Sequence, residues 1–165
     1  MPAFSVDETI HLLSEGGSAM SGRPCPCGET ETAGSPANIR VLVVDDHPAV
    51  RTAVTELLDD EDDLTVVGEC ENGSQVVDAV ERLRPDVVLM DMSMPVMNGL
   101  AASQALQSVE SAPRIVMFTG EGLAARPDVA AAGADALVPK SARANALLDC
   151  LRTVVVGCGC CPYCL

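Results

Sequence analysis

Aromatic residues are nearly absent from this chain, whose 165 residues include one Tyr, two Phe and no Trp. A hydrophobic core must therefore be built from Val, Leu, Ala and Met, which is feasible because 48% of the residues are hydrophobic. A chain of this length suits one domain with tails. No apolar run approaches the roughly 20 residues that a membrane span requires.

Positive charge is also scarce, with 10 Lys and Arg against 24 Asp and Glu and a formal net charge of −14. Nucleic-acid binding depends on cations that neutralise phosphates, and membrane surfaces are mostly anionic, so we expect direct binding to neither. The excess acid indicates either a solvated surface or carboxylates gathered around a cation. The N-terminus lacks the basic and apolar regions of a secretory signal, which predicts a cytoplasmic protein.

The chain has eight cysteines, which would suggest disulfides in a small secreted protein but favour free thiols or metal ligands in a reducing compartment. Six of the eight cysteines lie near the two ends of the chain: Cys25, Cys27, Cys158, Cys160, Cys161 and Cys164. Three interpretations stay open, namely disordered thiols, a Zn²⁺ site formed by both tails, and disulfide or redox chemistry. The stretch Cys161-Pro-Tyr-Cys164 resembles a glutaredoxin dithiol, but only Leu165 follows it, where that chemistry requires a helix.

Composition divides the chain into three parts. Residues 1–38 are largely Gly-, Ser-, Pro- and Thr-rich without periodicity and predict a flexible tail. Residues 39–157 alternate short β-branched runs with helical segments and predict one domain. Residues 158–165 predict a Cys-rich, flexible C-terminal tail.

The central part predicts an α/β fold with a parallel sheet between two layers of helices. Nearly continuous apolar runs are typical of strands buried on both faces. The predicted strands are Val41–Val44, Leu64–Val67, Val87–Met90, Ile115–Phe118 and Ala136–Val138. The predicted helices are Pro48–Leu58, Ser74–Arg82, Leu100–Val109, Pro127–Ala132 and a last one that Ser141 caps and that runs to about Val156, before Gly157.

Three acids follow two of these strands, where ligand sites lie in open parallel sheets. Asp45 and Asp46 follow the first strand and Asp91 follows the third. If these strands are neighbours, the three carboxylates repel each other unless a cation joins them. Oxygen ligands with room for water and phosphate favour Mg²⁺, with Mn²⁺ as the second choice.

Thr119 and Lys140 end the fourth and fifth strands at the same edge. A hydroxyl donor and a compact ammonium are suited to phosphoryl oxygens, and phosphoryl transfer depends on positioning and charge neutralisation. Each residue also has a plainer interpretation: the acids as helix N-terminal or loop residues, Thr119 as a strand former and Lys140 as an exposed turn residue. Their joint placement favours a phosphoryl-transfer site.

The motifs in this region resemble the receiver domains of two-component signalling. The segments that carry the resemblance are Val41-Leu-Val-Val-Asp-Asp-His-Pro48, Asp91-Met-Ser-Met-Pro-Val-Met-Asn-Gly99 and Pro139-Lys140. His47-Pro48 and Gly68-Glu69 resemble receivers attached to helix-turn-helix output domains of the LuxR type. The resemblance implies a flavodoxin-like sheet with the strand order 2-1-3-4-5.

The resemblance also implies roles for the site residues. Asp91 would accept phosphate from a sensor histidine kinase, a phosphotransfer protein or a small phosphodonor. Asp46, Asp91 and the Ser93 carbonyl would bind Mg²⁺ directly, and Asp45 would act through water. Thr119 and Lys140 would contact the phosphoryl group. Beyond self-phosphorylation and self-dephosphorylation, no enzyme activity is implied.

Three departures from the family pattern and two alternatives remain. Pro127 shortens the predicted fourth helix, which in the family helps form the usual output face. Leu137 stands where receivers usually carry Tyr or Phe, and only eight residues follow Gly157, too few for a helix-turn-helix. We therefore expect a stand-alone phosphoacceptor module. The alternatives are a truncated transcriptional regulator that acts by pairing with another regulator, and a phosphatase with an Asp nucleophile, although such enzymes place a second acid where this chain has Ser93.

Overall fold

The computed structural model describes residues 38–157 and 162–165. Five parallel strands form one sheet in the order β2-β1-β3-β4-β5, which confirms the predicted flavodoxin-like arrangement. The strands are β1 (Ile39–Val44), β2 (Leu64–Cys70), β3 (Val87–Met90), β4 (Arg114–Thr119) and β5 (Ala136–Pro139). The predicted tail before Asn38 lies outside the described residues.

Five α-helices connect and follow the strands: α1 (Pro48–Asp59), α2 (Val76–Leu83), α3 (Gly99–Leu106), α4 (Arg126–Ala131) and α5 (Ala144–Val156). Short 3₁₀ turns precede α2 and α4, at Gly73–Gln75 and Leu123–Ala125. In the described part of the chain, no helix is long and apolar enough to span a membrane.

The sheet is buried on both faces because its apolar side chains alternate between two core clusters. Ile39, Val41 and Val43 of β1 pack with residues of α1 and α5. Leu42 and Val44 point the other way, into the cluster formed with α2, α3 and α4. This double burial explains why the strands read as continuous apolar runs rather than as alternating ones.

The third helix ends at Leu106, three residues before the predicted Val109, and the start predicted for the last helix is wrong as well. Ser141 does not cap the last helix, which begins at Ala144 after Arg143. The chain first makes a tight turn after β5, in which the Ala142 N–H donates to the Pro139 carbonyl at 2.8 Å. Ser141 is part of that turn, so the helix begins at Ala144, three residues after Ser141.

The C-terminal end of the chain lies beside the sheet. Cys164 forms an antiparallel bridge with Ala136 of β5, the last strand in the sheet order. Its neighbour Tyr163 packs against the core cluster beneath α1 and α5. Residues 162–165 therefore extend the sheet, although β5 remains its last named strand.

Candidate functional site

The three predicted acids meet at one edge of the sheet because β1 and β3 are adjacent. Val44 pairs with Met90, so the residues that follow these two strands, Asp45 and Asp91, emerge side by side. The Asp91 N–H donates to the Val44 carbonyl at 2.8 Å. Asp45 and Asp91 are buried, whereas Asp46 is partly exposed.

Lys140 reaches the same point from the end of β5. Its Nζ donates to Asp45 Oδ2 at 2.7 Å and lies 3.3 Å from Asp91 Oδ2. It also lies 5.9 Å from the centre of the Phe118 ring. The ammonium thus bridges two buried carboxylates that would otherwise repel each other.

The Asp91 carboxyl is not an ordinary surface acid. Burial raises its pKa from 3.8 to about 6, and the Asp45 charge acts in the same direction, while Lys140 opposes both. A raised pKa means that ionised Asp91 is poorly compensated where it lies. A cation bound at this carboxylate would favour its ionised form and lower its pKa.

The acids also have the composition and spacing of a cation site. One ligand atom from each of Asp45, Asp46, His47 and Asp91 lies within 4.8 Å of the others. His47 Nδ1 is 3.1 Å from Asp45 Oδ1 and 3.0 Å from Asp46 Oδ1. Asp46 Oδ1 is nevertheless a buried atom without a hydrogen-bond partner. An oxygen-rich set with such an atom fits a hard divalent cation.

A groove of about 510 Å³ lies beside Asp46, and its lining residues are Asp46, Met92, Ser93, Met94, Pro95, Asn98, Leu100 and Glu121. The Ser93 hydroxyl donates to the Glu121 carboxylate across the groove. Thr119 is fully buried at the end of β4, and its Oγ1 accepts the Glu121 N–H at 3.2 Å. The Thr119 hydroxyl can therefore still donate its own hydrogen.

Gly99 holds the loop after β3 close to the site. Its N–H donates to the Met92 carbonyl at 2.9 Å. A Cβ at this position would lie 2.3 Å from the Asp91 carbonyl oxygen and 3.0 Å from Met92 Cα. Because both obstacles are backbone atoms, only glycine allows α3 to begin this close to Asp91.

Comparison with known proteins agrees with this geometry. The family model described as the response regulator receiver domain matches residues 41–152, about two thirds of the chain. The chain belongs to this family. Its receiver domain carries Asp45, Asp46, Asp91, Thr119 and Lys140 at the strand ends where the family motifs predicted them.

Curated relatives with the same receiver domain are longer than this chain. The nitrate/nitrite response regulator NarL of Escherichia coli K12 is 38% identical over 120 residues, which are 71% of this chain and 55% of NarL. A protein-glutamate methylesterase/protein-glutamine glutaminase of Idiomarina loihiensis is 43% identical over 105 residues, 62% of this chain and 27% of that protein. The matched part of this chain therefore spans about half of the length of NarL and about a quarter of the length of the methylesterase.

Solved receiver domains share the fold. The response regulator domain of Thermotoga maritima CheB has a TM-score of 0.66 and 30% identity, covering 72% of this chain and 96% of that one. A LuxR-family response regulator from Aurantimonas has a TM-score of 0.70 and 28% identity, covering 73% and 87%.

Two side chains that support the receiver site were not predicted. Arg51 of α1 donates to the Asp45 carbonyl at 2.6 Å and to Glu69 at 3.1 Å, so it holds the loop that carries the acids. Glu121 adds a second carboxylate, after that of Asp46, to the lining of the groove. Of the two, only Glu121 could have been predicted from the sequence, because it lies two residues after the end of β4, at the sheet edge where the other acids lie.

Three further predictions from the sequence concern Leu137, the cysteines near the chain ends and the Ser93 carbonyl. Leu137, in place of an aromatic residue, is fully buried in the core beneath α2, α3 and α4. Among the six cysteines near the chain ends, only Cys164 belongs to the described residues, so the proposed Zn²⁺ site lies outside them. The Ser93 carbonyl stays a predicted metal ligand.

Val96 gives a testable consequence of the loop conformation. This β-branched residue has φ of 69° and is 87% exposed, so it adopts a left-handed backbone without packing to offset the strain. Val96→Gly should raise the free energy of unfolding by about 1 kcal/mol in urea denaturation. Val96→Ala, which keeps Cβ, should gain less than half as much. A loss of stability in Val96→Gly would contradict the strain argument.

Proposed function

We propose that this receiver domain is a phosphoacceptor module in which Asp91 receives a phosphoryl group. The observation that carries the proposal is the convergence of Asp91, the acidic pair Asp45 and Asp46, and Lys140 at one sheet edge. Their combination supplies a nucleophilic oxygen, ligands for a cation and a fixed positive charge. Phosphoryl transfer requires these three elements together.

The donor in this proposal is a sensor histidine kinase or a phosphotransfer protein in the cytoplasm. An Asp91 carboxylate oxygen forms a bond to phosphorus while the phosphorus–nitrogen bond of a phosphohistidine breaks, and the leaving imidazole nitrogen takes up a proton from solvent water. Hydrolysis of the acyl phosphate later returns Asp91 and inorganic phosphate. The chain's own chemistry is limited to these two steps, so we assign it signalling rather than substrate turnover.

Mg²⁺ is the cation that this donor set fits, and Mn²⁺ shares its preference for oxygen ligands. Asp46, Asp91 and the Ser93 carbonyl would hold it directly, with Asp45 acting through water. When bound, it neutralises charge on the phosphoryl oxygens. Asp46 Oδ1 supports this assignment, because this buried oxygen accepts no hydrogen bond, although His47 Nδ1 lies 3.0 Å away, and a cation would compensate its lost solvation.

Lys140 and Thr119 would stabilise the transferred group from the other side. Lys140 Nζ is already 3.3 Å from Asp91 Oδ2 and would pair with a phosphoryl oxygen. The Thr119 hydroxyl would donate a hydrogen bond to a second one. The added charge of about −1.5 to −2 then changes the local electrostatics and drives the conformational response.

Incubation with acetyl phosphate and Mg²⁺, followed by intact-mass measurement, tests the proposal. The chain should gain about 80 Da, one phosphoryl group, and Asp91→Asn should gain nothing. The exposed α5 acid Asp149 offers a matched control, and Asp149→Asn should be phosphorylated like the unsubstituted chain. A stable adduct in Asp91→Asn would show that another residue is the acceptor.

Mg²⁺ should also stabilise the unphosphorylated domain, because an ion that binds only the folded state adds RT ln(1 + [L]/Kd). At ten times Kd the gain is about 1.4 kcal/mol. Thermal denaturation across a Mg²⁺ titration measures it, and the gain should shrink sharply in Asp46→Ala. A melting temperature that is independent of Mg²⁺ would argue against a cation at these acids.

A further inference from the structure

The last four residues occupy the outer edge of β5 in the manner of an added strand. The Leu137 N–H donates to the Tyr163 carbonyl, and the Leu165 N–H donates to the Asp135 carbonyl, both at 2.9 Å. These two bonds flank the bridged pair Ala136 and Cys164. The pattern is that of an antiparallel ladder, which binds the backbone rather than particular side chains.

Arg126, the first residue of α4, holds the opposite edge of the same segment. Its guanidinium donates to the Pro162 carbonyl at 3.3 Å and to the Cys164 carbonyl at 2.6 Å. Successive carbonyls of an extended chain point in opposite directions, so Tyr163 faces β5 while its two neighbours face Arg126. The fork of donors on one arginine thus takes the place of a second strand.

Three consecutive carbonyls are therefore bound by two elements of the domain. Tyr163 and Cys164 add partly buried apolar surface against the core cluster that contains Ala136 and Val138. An edge strand with unpaired backbone groups is a template for any extended segment. Because an extended segment presents alternate carbonyls to its two sides, β5 and Arg126 bind such a segment along both edges, whereas a bare strand binds one edge.

We propose that the slot between β5 and Arg126 is a docking surface for one extended peptide segment, and that Pro162–Leu165 occupies it in cis as a strap that excludes other segments. Recognition is through the backbone. A competing extended peptide that forms the same backbone hydrogen bonds can displace the strap. This role is separate from the chemistry proposed for Asp91.

Amide hydrogen exchange in the full chain tests whether Arg126 holds the strap. In Arg126→Ala, the Leu137 and Leu165 amides should exchange at least about fivefold faster than in the unsubstituted chain. Arg143 is an exposed arginine without a side-chain hydrogen bond or ion pair among the described residues, so Arg143→Ala is the matched control and should change neither rate. Equal exchange in the two variants would overturn the role of Arg126.

A second experiment tests the slot as a docking surface. Leu165→Pro removes the N–H that bonds Asp135 but leaves β5 and Arg126 intact, so it should speed exchange at Leu137. Millimolar peptide Ser-Pro-Tyr-Ser-Leu-Lys, added in trans, should restore at least half of the lost protection. The same peptide with an N-methylated Leu should not restore it. Failure of both peptides, with Leu165→Pro still folded, would overturn the proposal.

Discussion

In metal-free buffer at pH 7, Asp91→Asn should be more stable than the unsubstituted chain by about 3 kcal/mol. Burial raises the pKa of Asp91 from 3.8 to about 6, with Asp45 adding to the effect and Lys140 opposing it. At about 1.36 kcal/mol per pKa unit, the difference corresponds to the free energy lost when this carboxyl ionises in the folded state. Asn resembles the neutral acid and avoids that loss. Urea denaturation with EDTA present measures the difference.

The pH dependence of this stabilisation has a definite sign. Because the folded state holds the Asp91 proton more tightly than the unfolded state, the stability contributed by protonated Asp91 is fully present below about pH 4 and is lost as the pH rises through about 6. The advantage of Asp91→Asn should therefore disappear below pH 4. Asp149→Asn should differ from the unsubstituted chain by less than about 0.5 kcal/mol at pH 7. An advantage that persists at pH 3.5 would contradict the electrostatic explanation.

The second large effect concerns Lys140, the only lysine in the chain. Lys140→Ala should lower the free energy of unfolding by about 3 kcal/mol at pH 7, because it leaves Asp45 and Asp91 buried and facing each other without a counter-charge. Urea denaturation without divalent cations measures the loss, and saturating Mg²⁺ should recover part of it. Arg143→Ala, three residues further along, is the control and should be nearly neutral.

A double-mutant cycle separates this electrostatic effect from simple loss of packing. If Lys140 stabilises the fold by pairing with Asp91, the loss caused by Lys140→Ala should be smaller in the Asp91→Asn background by at least about 1 kcal/mol. Additive effects of the two substitutions would show that the ammonium acts mainly through Asp45 or through the packing of its alkyl chain.

The site could be assembled from the sequence because its residues follow strands whose order is constrained. Once β1 and β3 are neighbours in a parallel sheet, Asp45 and Asp91 must emerge at the same edge. The same argument places Thr119 and Lys140, whose backbones are joined by a 2.8 Å hydrogen bond from the Lys140 N–H to the Thr119 carbonyl. Local sequence and topology therefore predicted where these residues lie.

Contacts that depend on side-chain conformation or on tight turns could not be predicted in this way. Arg51 looks like any helical arginine in the sequence, yet its guanidinium crosses to the Asp45 carbonyl. Ser141 has the residue type of a helix cap, but the turn after β5 takes it up before α5 begins. The C-terminal strap was missed for a related reason: a four-residue segment carries no periodicity, and its partner is a sheet edge distant in sequence.

The position of Lys140 has a practical consequence for spectroscopy. Isotope labelling of lysine introduces one labelled side chain, and its ammonium lies between the carboxylates of Asp45 and Asp91. The single side-chain signal would report the charge at Asp91 without mutagenesis. Leucine labelling introduces sixteen labelled residues, and one of them is Leu137 of β5, whose amide is bonded to Tyr163. One sample labelled in both lysine and leucine would therefore report on the acidic site and on the strap in the same measurement.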